Sequence, residues 1–174
     1  MNLPIWDEGK VPPPLPLEGT VRAAVCVVGL GGSGLAALDE LAKLGVAAVG
    51  IDAGLVGGGA AGRNGGFLLA GLAKFFHETV ALYGRDTAAA IYQQTAAEVQ
   101  RQAREQPELI RLTGSLRIAA DAAELADCQL HLAALRASGL PVESYAGPEG
   151  VGLLLPTDGV MQPWARVRAL AARW

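Results

Sequence analysis

VCVVGLGGSGLAALDELAKLGVAAVGID, residues 25–52, decides the fold of this chain. The run Val21 to Val28, rich in valine and alanine with one charge, predicts a strand buried on both faces of a parallel sheet. Gly29-Leu30-Gly31-Gly32-Ser33-Gly34 follows at once and satisfies G-x-G-x-x-G. Leu35 to Leu44 holds neither glycine nor proline and predicts a helix, which Gly45 stops. Val46 to Ile51 predicts a second buried strand with Asp52 at its end. Together these make one β-α-β unit.

Nucleotide binding is the chemistry that such a unit serves. Gly29 lets the strand turn sharply, Gly31 lets backbone approach a pyrophosphate, and Gly34 lets the helix pack close to the sheet. Free N–H groups at the helix start then hold the phosphate charge. Asp52, 18 positions beyond Gly34, can accept from both ribose hydroxyls and repels a 2′-phosphate. A glycine-tolerant turn with an ordinary strand-end aspartate is the alternative, and the strand before, helix after and acid beyond weigh against it. The turn alone does not separate NAD from FAD.

The next stretch does. Ala53 to Gly66 (AGLVGGGAAGRNGG) is too dense in glycine for a regular element and predicts a loop whose backbone lies close against something. A simple NAD domain proceeds from the acidic residue into another helix, whereas here Arg63 and Asn64 sit among glycines. Arg63 can pair with a phosphate, and Asn64 can donate or accept at a ring or ribityl group; the alternative for Arg63 is a solvated surface side chain.

Outward from this centre, residues 1–20 carry prolines at positions 4, 12, 13, 14 and 16 and predict an extended leader, pinned by Ile5 and Trp6 or serving as a proline-rich peptide ligand. Downstream, apolar residues at three-to-four spacing from Phe67 to Tyr83 predict a helix up to Gly84. A longer one runs from Thr87 to about Gln106, stopped by Pro107. Ser115 to Ala119 predicts a short strand. Asp121 with Glu124 caps a helix whose buried stripe is Leu125, Cys128, Leu132 and Leu135. Residues 142–160 read as loops and short strands, and a last helix runs from Trp164 to Trp174.

Composition narrows the rest. At 174 residues the chain is expected to form one domain with at most a smaller lobe, and 51% hydrophobic with 5% aromatic residues suits close helix-on-sheet packing. The net charge of −3 with scattered arginines speaks against a nucleic-acid partner. No signal peptide and no membrane span are read, so a cytoplasmic protein is expected. Cys26 and Cys128 are expected to be buried free thiols. His77 and His131 lack metal-ligand spacing; His131 is read as partly buried and structural, His77 as a helix-surface residue, and Tyr92 as core or a subunit contact.

Residues 25–67 resemble the N-terminal segment of FAD-dependent amine and amino-acid oxidoreductases of the D-amino-acid oxidase superfamily, glycine oxidase-like and gamma-glutamylputrescine oxidase-like enzymes especially. Residues 114–119, Pro141-Val142-Glu143 and Asp158-Gly159 followed by Pro163 fit the same pattern in order. The resemblance implies an α/β fold: a Rossmann-like FAD/NAD(P)-binding unit with a parallel sheet, then the start of an α+β substrate region. Its divisions would be a leader at 1–20, the FAD-binding segment at 21–84, the substrate region at 85–150 and a return to the FAD-binding domain at 151–174.

The same resemblance implies FAD as cofactor. Gly29, Gly31, Gly32, Ser33 and Gly34 would surround its pyrophosphate, Asp52 its ribose, and Ala61, Arg63, Asn64, Gly65 and Gly66 the phosphate-to-flavin side. It implies hydride transfer from the carbon bearing an amine to the flavin, giving an imine from a small-molecule amine or amino-acid substrate. Three features depart from the pattern. Leu38 stands where a small residue is usual and Asp39 where an apolar one is, which puts close packing of the first helix in question. Ala61 replaces a frequent serine and loses a hydroxyl contact. The chain also looks like the first half of a member, so no catalytic residue is assigned. The other readings are a catalytically inert nucleotide-binding fragment needing a C-terminal half or partner chain, and an NAD-binding protein; a half-built sheet in residues 85–160 would invite pairing with another chain, a homo-oligomer included.

Overall fold

The structure, a computed structural model, describes residues 5–6 and 16–174; prolines 4, 12, 13 and 14 lie outside the described residues. The chain divides into two compact units, Met1–Gly66 with Gln162–Trp174, and Phe67–Met161. The boundaries of these units fall at 66/67 and 161/162.

In the first unit, β1 (Val25–Val28) pairs in parallel with β2 (Ala48–Ile51), Val25 opposite Ala48 and Val28 opposite Ile51. Between them runs α1 (Gly32–Lys43). Gly45, at φ +69°, ends it: its N–H reaches the Ala42 carbonyl and the Val46 N–H the Leu41 carbonyl, which satisfies the last carbonyls of the helix. The expectation of strands buried on both faces is corrected. Val25 and Val27 are half-buried, but Cys26 and Val28 are exposed, Val28 to 78%. Side chains alternate across a strand, and α1 packs against this two-stranded sheet, leaving Cys26 and Val28 uncovered. Cys26 is thus an exposed thiol, while Cys128 is buried as expected.

Leu38 is accommodated by a glycine in the facing strand. A Cβ at Gly50 on β2 would lie 2.8 Å from Leu38 and 2.7 Å from Leu30, so glycine in the strand makes the room that a small residue in the helix would otherwise provide, and Leu38 is 2% exposed. Asp39 pairs with Arg173 Nη1 at 2.9 Å. Arg173 follows α6 (Pro163–Ala171), which Gln162 caps through its side-chain oxygen and Pro163 opens. Val167 and Leu170 of α6 pack with Leu35 of α1 as the core of this unit. A single helical turn, α2 (Ala60–Arg63), lies within the glycine-rich loop.

The second unit contains two three-stranded antiparallel sheets. In one, β8 (Gly159–Met161) lies between β3 (Phe67–Leu68) and β4 (Ile110–Arg111); in the other, β7 (Gly150–Leu155) lies between β5 (Ser115–Ile118) and β6 (Glu143–Gly147). Its helices are α3 (Phe76–Tyr83), α4 (Arg85–Glu105) and α5 (Ala122–Ala137). Asp121 caps α5 by accepting from the Glu124 N–H at 2.8 Å. The predicted helix from Phe67 is corrected: Phe67 and Leu68 pair with Val160 and Gly159, and helix begins only at Phe76. Asp158 accepts from the Ala70 N–H and Gly71 adopts φ +83°, neither of which a helix tolerates, and Leu69 and Leu72 are exposed rather than core. The core here is Phe76, Ala88, Tyr92, Cys128, Leu135 and Leu153, with Tyr92 edge-on to Phe76. Among the described residues no helix is long and apolar enough to cross a membrane.

Candidate functional site

The candidate site is formed by the glycine turn and the second glycine loop, both in the first unit. Each glycine of the turn has its own reason. Gly29 sits at φ +92°, where a side chain strains the backbone. A Cβ at Gly34 would lie 1.9 Å from the Gly29 carbonyl oxygen, so only glycine lets α1 rise directly off the turn. Gly31 and Gly32 differ. A Cβ at Gly31 would meet nothing nearer than Ala61 Cβ at 3.9 Å, and one at Gly32 nothing within 4 Å. Among the described residues nothing requires their missing side chains, and both positions face open space.

That space opens at the start of α1. Gly31 is the N-cap and offers no side-chain oxygen, and the first turn carries no acidic residue. Gly32 and Ser33 are exposed. The leading N–H groups of a twelve-residue helix therefore keep their partial positive charge without a side-chain cap.

Asp52 stands at the end of β2, beside the turn. Its Oδ2 accepts from the Leu30 N–H at 2.6 Å and its Oδ1 from the Gly54 N–H at 2.9 Å. A carboxylate has about four acceptor positions, so these two bonds leave about two unused. Leu30 also ties the two loops together, because its carbonyl accepts from the Gly57 N–H at 3.0 Å.

The second loop lies against the turn, with Ala61 facing Gly31. Its other predicted residues turn inward. Arg63 donates through Nε to the Gly58 carbonyl. Asn64 donates to the Ala60 and Ala61 carbonyls at 3.2 and 3.0 Å and accepts from the Gly66 N–H at 2.9 Å, closing α2 with its side chain. Gly65 is exposed, and Gly66 is buried at φ +78°.

Val167 and Trp164, against which the second loop packs, were not singled out in the sequence. A Cβ at Gly57 would lie 1.9 Å from Val167 Cγ1, and one at Gly62 2.7 Å from Trp164 Cε3. Two of the loop's glycines thus admit α6. Trp6 donates its indole N–H to the Asn64 carbonyl at 3.0 Å, and its own carbonyl accepts from the Gln162 side chain at 3.1 Å. Trp6 is therefore a pin of the leader, whereas Ile5 is 89% exposed. The Gly57/Gly62 pair was visible as glycine, but its partner lies more than a hundred residues away.

The model of the family described as FAD dependent oxidoreductase (DAO) matches residues 24–173. Among solved structures, an L-amino acid deaminase from Proteus vulgaris with its specific insertion deleted superposes with TM-score 0.71 at 15% identity, over 95% of this chain and 45% of that one. Glycine oxidase from Geobacillus kaustophilus gives TM-score 0.63 at 25% identity, over 87% and 44%. L-Proline dehydrogenase from P. horikoshii gives 0.63 at 20%, over 87% and 41%. The chain thus spans less than half the length of each. Among curated proteins none matches.

Proposed function

We propose, from the premise that this chain belongs to the FAD-dependent oxidoreductase family, that its first unit grips the adenosine-diphosphate side of FAD in a protein that oxidises a small-molecule amine or amino acid. The observation that carries this reading is the open space at Gly31 and Gly32 beside the uncapped start of α1.

Each residue then has a defined task. The N–H groups of Gly32, Ser33 and Gly34 hold the pyrophosphate against the helix start, where the helix dipole favours negative charge. Asp52 takes the ribose hydroxyls with the acceptor positions that Leu30 and Gly54 leave open. Ala61 contributes contact where a serine would contribute a hydrogen bond. Arg63 places positive charge on the phosphate-to-flavin side, and Asn64, by tying Ala60, Ala61 and Gly66 together, shapes the backbone of Gly65 and Gly66 that faces the cofactor.

Bound FAD supplies the acceptor for the hydride that leaves the amine-bearing carbon as an imine forms. The cytoplasmic location belongs to the same proposal. No residue of this chain is assigned a catalytic role.

The test is a titration of the purified chain with FAD and with NAD, followed by flavin absorbance and tryptophan fluorescence. FAD is expected to bind in preference to NAD, and Gly31→Val to weaken FAD by at least about tenfold. A chain that prefers NAD, or a Gly31→Val variant that holds FAD unchanged, overturns the reading.

A further inference from the structure

Trp6 closes a circuit of contacts around the second glycine loop, and every member of that circuit belongs to the first unit. Its indole N–H donates to the Asn64 carbonyl at 3.0 Å, and its own carbonyl accepts from Gln162 Nε2 at 3.1 Å. One half-buried residue of the leader thus grips two segments that are far apart in sequence.

Both partners bear on the loop. The Asn64 side chain binds the Ala60 and Ala61 carbonyls and the Gly66 N–H, so where its backbone is held decides how the loop ends. Gln162 uses its other side-chain atom, Oε1, to accept from the Ala165 N–H and cap α6. That helix packs against the loop, Trp164 at Gly62 and Val167 at Gly57. The circuit therefore runs from Trp6 to Asn64, along the loop to Gly62, across to Trp164, and back through Gln162 to Trp6.

The leader and the helix do not need these two bonds for themselves. A half-buried indole N–H can find water, and Gln162 caps α6 with its oxygen whether or not its nitrogen is used. Their joint effect falls on the loop between them. Glycine-dense backbone is costly to order and has few side chains of its own to hold it, so its order comes from ties made to it from outside. The start of the loop has a separate tie, from the Gly57 N–H to the Leu30 carbonyl; the clasp acts on its far end, Gly62 to Gly66.

We propose that Trp6 is a positioning residue of the nucleotide site: by clasping Asn64 to the cap of α6 it holds the far end of the second glycine loop in place, and so couples docking of the leader to cofactor binding. The choice of cofactor rests on the flavin reading, whereas the clasp is a property of the chain itself. The glycine turn and Asp52 lie outside the circuit. ADP, which they hold by themselves, is therefore indifferent to the clasp, and FAD, which extends to the second loop, is not. Coupling is reciprocal, so FAD that fixes the loop also fixes Trp6.

Two variants open the clasp from opposite sides. Trp6→Phe keeps the ring and the carbonyl but removes the donor to Asn64; Gln162→Glu keeps an oxygen to cap α6 but removes the donor to Trp6. In the full chain without nucleotide, amide hydrogen exchange at Gly62 and Gly66 is expected to quicken by about threefold to tenfold in either variant, and at Gly57 to change less. FAD affinity is expected to fall by about the same factor while ADP affinity stays that of the parent. Because both bonds close one circuit, the double variant is expected to match the single ones. Unchanged exchange at Gly62 and Gly66 overturns the proposal, as do equal losses for FAD and ADP, or single effects that multiply in the double variant. A parent chain that binds ADP but not FAD overturns the flavin reading instead, and the exchange rates then decide the clasp by themselves.

Discussion

Asp52 Oδ2 accepts a hydrogen bond from the Leu30 backbone N–H at 2.6 Å, so the residue expected at a ribose also closes the glycine turn onto the end of β2. In Asp52→Asn the amide offers one oxygen to two N–H donors and turns an NH₂ toward the other. Chemical denaturation is expected to show a loss of about 1 kcal/mol, with FAD affinity falling in parallel. A variant that loses affinity with no loss of stability would show that Asp52 acts on the ligand alone.

The two halves of the glycine turn separate by mutation. Gly34→Ala drives a Cβ into the Gly29 carbonyl, 1.9 Å away, and is expected to cost at least about 3 kcal/mol, read as a collapse of the thermal transition. Gly31→Ala meets only Ala61 at 3.9 Å, and its melting temperature should match the parent's. The contrast between them distinguishes a glycine kept for packing from one kept for a ligand.

His131 makes stability depend on pH. Its folded pKa, about 4, lies below the ordinary histidine value of 6.5, so the unfolded chain binds the extra proton first. Stability from this residue is full above pH 6.5 and is lost as pH falls from there toward 4, by up to about 3 kcal/mol. Urea denaturation at several pH values should show that decline, and His131→Gln should flatten it.

Trp6 tethers the leader to the second glycine loop through the Asn64 carbonyl. Trp6→Phe keeps the ring but loses the donor, and the loss should be about 0.5–1 kcal/mol of stability, because the carbonyl is exposed enough to take water instead. Wild-type tryptophan fluorescence quenched on FAD addition, and less so in Trp6→Phe, would place Trp6 beside the cofactor loop.

Much of the glycine turn and its helix was legible because the signals are local. Gly29 and Gly45 announce left-handed backbone, and Asp121 with Glu124 announces a helix start; each needs only its neighbours in sequence to act. The helix expected from Phe67 failed because apolar residues three or four apart also occur where chain alternates between strand and irregular backbone. Ala70, tied to Asp158, and Phe67, paired with Val160, are decided by residues about ninety positions away. Asn64 was expected at the cofactor, and its side chain works on its own loop, a preference that short polar residues carry without showing it in a pattern.

By itself the sequence determined the β-α-β unit, its turn and the acid at its end, since steric limits on φ and the orphan N–H groups of a helix start are properties of a few consecutive residues. Only the tertiary structure decided that Gly50 makes room for Leu38, that Gly57 and Gly62 admit α6, and that Cys26 faces outward from β1. Each of these depends on which distant surface covers a given face, and close packing settles that only when both surfaces are present.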